Sequence, residues 1–271
     1  MKAARKYGKT IIGMALTALM LFPVYWMLNV SLTRRESIRK AEVLPYDFTL
    51  DHYVVAFQQQ LPYLLTSLIV GIGTVVLTLL IAAPASFALA KLSLPGGRVL
   101  QFVLIVAQMI PAVVMSLGFY SLYNQMGLLN TIPGLILADA TIAVPFATML
   151  LTAFISGLPA SLLEAAALDG ASNVRTFFSV ILPLSRNSVI TVSLFAFLWA
   201  WSDFIFASTL NREGGILKPI TMGIYNYIGA QNQEWGPIMA TAVLASIPTA
   251  MLLVLAQKFI AAGVTTGAVK S

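Results

Sequence analysis

Two acidic residues, Asp139 and Asp203, fall inside long apolar runs of this sequence. An ionised carboxylate held within hydrocarbon costs several kcal/mol unless it faces protein or water, so a role along a polar path is the first hypothesis for each. Trp199 and Trp201 stand just before Asp203, and their rings could stack on a solute in that path. Tryptophans near a membrane interface also serve as plain aromatic anchors, and that reading stays open. Gln108, Ser116 and Thr141 are weaker candidates for the same polar lining. Other chemistry is excluded quickly. The chain has no cysteine and one histidine, His52, which removes thiol nucleophiles, disulfides and thiolate or histidine metal centres. His52 is expected in an outer loop as an ordinary surface residue.

A phosphate-binding loop is suggested, and then rejected, at residues Ala3 to Thr10, which read A-A-R-K-Y-G-K-T. Such a loop needs a strand before it and a helix N-terminus beneath it, so that backbone N–H groups surround the phosphates. Only two residues precede the match, and the segment reads instead as a basic anchor beside an apolar run. At the other end, Lys270-Ser271 lacks the glycine that a phosphate loop places before its lysine. No nucleotide site is expected in this chain.

The elements that must position these residues follow from composition. Of 271 residues 59% are hydrophobic and 10% charged, against about a quarter charged in a soluble domain, and the mean hydropathy is +0.88. Six runs approach the roughly 20 apolar residues that a helix needs to cross a bilayer with its backbone paired internally. They lie near Ile11–Leu32, Tyr63–Ala90, Val99–Leu122, Ile132–Phe154, Asn187–Leu210 and Trp235–Ile260. The first is too long for a secretory signal, lacks a small-x-small cleavage site after Val30 and is read as a retained span. Pro23, Pro84, Pro111, Pro145 and Pro248 fall within the runs, which membrane helices tolerate where neighbours re-satisfy the freed backbone groups. Ala82, Ser86 and Ala90 form a small-residue face for close helix packing. The fold class expected is therefore all-α integral membrane, as a single domain over residues 1–271.

Loop charge sets the orientation. With the N-terminus inside, Lys2, Arg5, Lys6, Lys9, Lys91, Arg98, Arg175, Arg186, Lys258 and Lys270 are cytoplasmic, against Arg34, Arg35, Arg39, Lys40, Arg212 and Lys218 outside. Both termini are expected in the cytoplasm, and the outer cluster from Arg34 to Lys40 is offset by Glu36, Glu42, Asp47 and Asp51. The net charge of +6 is read as loop charge facing anionic lipid, with no basic block suited to nucleic acid.

The cytoplasmic loop at residues 155–186, between spans four and five, is far longer than a connection requires. It reads as a helical hairpin. Pro159 can open the first helix, Ser161 and Glu164 have the spacing of a capping box, and Gly170 suits a left-handed helix end. Ser172 or Asn173 caps the second helix, whose Val174, Phe177, Phe178 and Ile181 form an apolar stripe opposite Asn173, Arg175, Thr176 and Ser179, and Pro183 stops it. Amphipathicity alone leaves open a hairpin lying in the lipid headgroups.

The run E-A-A-A-L-D-G from Glu164 to Gly170, then nine residues, then V-I-L-P from Val180 to Pro183, resembles the EAA loop of ABC-importer permeases, with Val180 in place of the usual Ile. The W-S-D-F run from Trp201 to Phe204 and the ending G-V-T-T-G-A-V-K from Gly263 to Lys270 extend the likeness to the maltose-type, carbohydrate-importing branch. The resemblance implies that Glu164, Ala165, Ala166, Asp169, Gly170 and Ala171 seat in a cytoplasmic ATPase subunit, and that the tail at 258–271, with Gly263, Gly267 and Lys270, reaches the ATPase dimer. It further implies a second homologous permease subunit, two ATPase subunits that hold ATP and Mg, and an external solute-binding protein. The chain itself would make no covalent bond. An ion-coupled secondary transporter using Asp139 and Asp203, and a non-transporting membrane scaffold, are the alternatives.

Overall fold

The computed structural model describes the backbone of residues 2–40, 42–44, 47–92, 94–229 and 233–268, and its regular elements are helices, with no named strand among the described residues. The described residues gather into two compact units, 1–61 with 224–248, and 62–223 with 249–271.

The first unit begins with α1, Lys2–Ser31. Its apolar side chains from Ile11 to Phe22 are exposed, as expected of a helix whose solvent is lipid. A single turn, α2 at Arg35–Ile38, follows, and Arg34 and Arg35 pair with Asp47 at 3.7 Å and Glu234 at 3.4 Å. Asp47 thus offsets part of the basic cluster from Arg34 to Lys40, as the composition of that loop suggests. The N-terminal turns of α3 (Asp51–Lys91) and of α13 (Trp235–Ala268) complete this unit. His52 is not a surface residue. It is 8% exposed, its Nε2 lies 3.0 Å from the Thr33 carbonyl oxygen, and its ring packs against Gly236, where a Cβ would collide with it. One imidazole there meets a backbone carbonyl just beyond the end of α1, a need that no apolar pattern announces.

In the second unit α3 continues to Lys91 through Pro62 and Pro84 without breaking. At 41 residues it is roughly 60 Å long, about twice the hydrocarbon thickness. The expected third span is two helices, α4 (Gly97–Gln108) and α5 (Ala112–Met126), which meet at 98°. The cause is Pro111, whose backbone is extended (φ −60°, ψ 135°) and which disfavours helix at Ile110. Helix α6, Ile132–Ser156, is capped by the Thr131 hydroxyl, which accepts from Gly134 N–H at 3.1 Å, and it carries Pro145 inside. The small-residue face of α3 packs here: Ala82 and Ser86 are fully buried, and the Ser86 hydroxyl lies 3.0 Å from the Thr148 carbonyl of α6. Gly71 and Gly73 let the same helix approach Phe197 and Ile136, respectively.

The fifth apolar run is also broken. The hairpin helix α7 (Ser161–Leu168) leads to a rod formed by α8 (Asn173–Thr176), a π turn at Phe177–Ile181 and α9 (Leu182–Leu184). That rod bends by 79° into α10, Arg186–Ser202. Beyond α10 come α11 (Ile205–Leu210) and α12 (Ile220–Gly223). Among the described residues four helices are long and apolar enough to cross a membrane, or six if each bent pair is one span.

Candidate functional site

The hairpin at 155–186 is where the second unit passes from apolar packing to an exposed polar surface. Helix α7 begins after Ala160, with no side-chain cap, so the expected Ser161–Glu164 capping box does not form. Ser161 already lies inside the helix, one residue too late for its hydroxyl to accept from the first-turn amides. Glu164 is left exposed, its carboxylate available to another molecule. At the other end the expected left-handed stop is present. Gly170 has φ +72°, its N–H donates to Ala167 O at 3.0 Å, and Ala171 N–H donates to Ala166 O at 2.9 Å. These two bonds are the Schellman arrangement. Nothing lies within 4 Å of where a Gly170 Cβ would stand, so the glycine serves the backbone turn and leaves an open surface. Ala165, Asp169 and Leu168 share that surface, and Leu168 is 89% exposed, while Ala166 turns inward.

Ser172 caps the second arm, its hydroxyl accepting from Arg175 N–H at 3.3 Å. The apolar stripe is split. Phe177 and Ile181 are buried with Ala82, Ala83, Phe87, Ala147, Leu151 and Ile155, whereas Val174 and Phe178 are exposed and border an apolar cavity of about 580 Å³ against α3. Thr176, expected on the polar face, is buried. Pro183 does not stop the arm. The π turn, with Leu182 N–H donating to Phe177 O, precedes it, and the wider turn makes room for a ring that would otherwise strike the carbonyl four residues back. The chain turns only at Ser185.

The candidate solute-path residues are not brought together on one open surface. Asp203 lies in the break between α10 and α11, where its carboxylate oxygens accept from Phe206 N–H at 3.1 Å and Ala207 N–H at 2.9 Å. Its own carbonyl accepts from the Thr221 hydroxyl at 2.6 Å. This is helix-capping geometry, and it meets the need of a broken helix in a waterless medium. Trp201 is buried and stacks on Phe197 with centroids 5.4 Å apart, while Trp199 is 45% exposed. Asp139 in α6 is 1% exposed, and among the described residues neither of its oxygens has a hydrogen-bond partner. Gln108, Ser116 and Thr141 each donate to a carbonyl of their own helix, at 3.3, 2.8 and 2.6 Å. Among the described residues no group of three or more His, Cys, Asp or Glu is placed to hold a metal. In the tail, Gly263 and Gly267 lie on α13, and Lys270 lies outside the described residues.

Long apolar helices, two of them in bent pairs, and an exposed hairpin with a glycine-stopped E-A-A helix are the features of a multi-pass membrane subunit with a docking loop, as the E-A-A likeness implies. The chain belongs to the family of binding-protein-dependent transport system inner membrane components, whose model matches residues 82–266, more than half of its length. Among its relatives it is similar to the trehalose transport system permease protein SugB of Mycobacterium tuberculosis, at 32% identity over 92% of each chain. It is 32% identical to the diacetylchitobiose uptake system permease protein DasC of Streptomyces coelicolor, over 93% of this chain and 92% of that one. The trehalose/maltose transport system permease protein MalG of Thermococcus litoralis is 29% identical over 96% of this chain and 95% of its own. The fold is like that of a bacterial ABC transporter involved in the import of the acidic polysaccharide alginate, with a TM-score of 0.83 over 95% of this chain and 98% of that one at 20% identity. The family resemblance carried by the E-A-A run is thus borne out, and the chain is a permease subunit of a binding-protein-dependent importer. The ion-coupled and scaffold alternatives give way to that membership.

Proposed function

We propose that this chain is one of two non-identical permease subunits of an ATP-driven importer for a sugar or similar small polar solute in a bacterial or archaeal plasma membrane. Each bent pair counts as one span, giving six with both termini cytoplasmic, in one transmembrane domain. Two ATPase subunits bind ATP and Mg below, and an external binding protein delivers the solute above. The hairpin at 155–186 is the coupling element, its Glu164, Ala165, Asp169, Gly170 and Ala171 seated in an ATPase cleft while Ala166 anchors it inward. The tail at 258–271 reaches the ATPase dimer. Closure of the ATPases displaces the hairpin, and the paired permeases rock to open the path outward and then inward. Hydrolysis belongs to the partners. Asp139, Trp199, Trp201 and Asp203 remain the candidates for the solute path once the paired subunits rearrange.

The observation that carries this reading is the exposed α7 with its Schellman stop: a helix that shows Leu168 to solvent beside exposed Glu164 and Asp169 carboxylates is built to be covered. The trehalose, diacetylchitobiose and maltose systems named for its relatives support a carbohydrate cargo. The test is purification of the complex through this chain with Ala167→Cys and a cysteine-reactive cross-linker. A cross-link to a nucleotide-hydrolysing subunit supports the reading, and a complex without such a subunit ends it. The solute retained on the co-purified binding protein identifies the cargo, and a cargo without a sugar moiety removes the carbohydrate assignment.

A further inference from the structure

Lys91 is the last residue of α3, and its side chain does not run out into solvent. Its Nζ donates to the carbonyl of Leu158 at 2.5 Å and reaches that of Ser156 at 3.4 Å. Those carbonyls belong to the end of α6 and the first turn beyond it, three residues before α7. A helix leaves its last four carbonyls without intrahelical partners, and a lysine ammonium is well suited to such a cluster of negative partial charge. Apolar packing surrounds the contact. Phe87 and Ala90 of α3 and Leu92 just beyond it share one cluster with Ile155 of α6, Leu158 in the connection that follows it, Leu163 of α7 and Phe177 and Ile181 of the second arm. The Phe87 and Phe177 rings lie 5.6 Å apart. Further in along α3, Ser86 reaches the α6 carbonyl of Thr148.

We infer that Lys91 is a positioning residue for coupling: it clasps the end of α3 to the root of the hairpin, so that hairpin motion reaches α3 and α6 together. This rests on the reading of the hairpin as the coupling element. The alternative routes for force are weaker. Gly157 brings no side chain to the connection between α6 and α7, and residues 157–160 form no regular helix. Such a connection transmits displacement poorly unless a side chain bridges it. The apolar cluster carries compression between these elements without a directional bond, whereas an ammonium held by two carbonyls is directional and fixes register.

The experiment uses the complete complex in proteoliposomes and measures solute uptake per ATP hydrolysed. Lys91→Met keeps the aliphatic stem and removes the donors; Lys91→Arg restores them. The expected result is a drop of about tenfold or more in uptake per ATP for Lys91→Met, the scale on which losing one charge-assisted hydrogen bond shifts a two-state equilibrium, with most of the ratio recovered in Lys91→Arg. An unchanged ratio in Lys91→Met overturns the inference, as does equal loss in both variants. A second measurement stands if Lys91→Met fails to assemble. Spin labels at Ala88→Cys and Ala167→Cys in a complex that retains Lys91 should give the same distance distribution without nucleotide and with ATP trapped. A shift of that distance overturns the clasp. The cross-link from Ala167→Cys to an ATPase separates the two failures: its absence removes the coupling reading itself, and its presence with an unchanged Lys91→Met ratio removes only the role of Lys91.

Discussion

Gly170 allows the coupling reading to be tested against its own physics. Its φ of +72° lies in the left-handed region, and a Cβ there would meet nothing within 4 Å. The penalty for replacing it is therefore one of backbone conformation rather than collision within this chain. An L-residue in that region costs roughly 1–2 kcal/mol, asparagine less because its side chain bonds locally, and a β-branched residue more. If the turn reverts to right-handed helix, the bonds from Gly170 and Ala171 to Ala167 and Ala166 are lost and the second arm leaves in another direction. At about 1.4 kcal/mol per factor of ten, valine should reduce the population of correctly turned hairpin by tenfold or more. The expected order of uptake per ATP in proteoliposomes is Gly170, then Gly170→Asn, then Gly170→Ala, then Gly170→Val. Insertion and expression should be unaffected, because the site lies outside the apolar runs. An order that follows side-chain size, with alanine better than asparagine, would mean that the partner surface presses on the residue. Full coupling in Gly170→Val would refute the conformational argument.

Four further outcomes are expected. Asp203→Ala should lower the thermal stability of the purified subunit by about 0.5–2 kcal/mol, the worth of a helix cap, whereas Asp203→Asn keeps only one of the two acceptors, turns its amide N–H toward the other backbone donor, and should recover part of that loss. Loss of uptake in a stable Asp203→Asn complex would then assign the carboxylate to the solute path, and full uptake would leave it a cap. Asp139→Asn, which replaces a buried carboxyl lacking a partner among the described residues by a neutral group of the same shape, should leave melting in detergent unchanged or raised; a marked fall would reveal a partner formed in the assembled state. Gly71→Ala places a Cβ 2.8 Å from the Phe197 ring, itself pinned by Trp201, and should cost about 1–3 kcal/mol in the same melting assay. Gly118→Ala, with open space around it, should cost nothing measurable, and equal losses at the two glycines would contradict the packing described for α3.

The apolar runs placed both ends of α6 and one end each of α1, α3 and α13 closely, because hydrocarbon forbids unpaired backbone. Helices α1 and α3 begin well before their runs and α13 continues well past its own, where less apolar residues extend the helices beyond the apolar stretch. The hairpin was legible for a different reason, since Gly170, Ser172 and the E-A-A spacing act locally and need no tertiary context. What failed were judgements that depend on neighbours. Pro62, Pro84, Pro145 and Pro248 are absorbed by their helices, yet Pro111 breaks one, and no property of the proline itself separates these cases. His52 looked like a loop residue because its partner, the Thr33 carbonyl, is 19 positions away. The Ser161–Glu164 box failed by a single residue of helix start, an offset that spacing alone does not resolve.

The same dependence explains why polar residues in the spans mislead. In a medium without water each helix break exposes amides and carbonyls that must be met by side chains. Asp203 meets two amides where α10 gives way to α11, Thr221 meets the Asp203 carbonyl, and Asn211 donates to Leu217 O at 2.8 Å just beyond α11. These groups have chemistry suited to a sugar and are already engaged with the backbone. Asp139 is different: it lies in an unbroken helix with no backbone need to serve and, among the described residues, no hydrogen-bond partner for either oxygen. Of the two intramembrane carboxylates it is therefore Asp139 whose presence the fold leaves unexplained, and a functional demand is the stronger argument for it there than for Asp203.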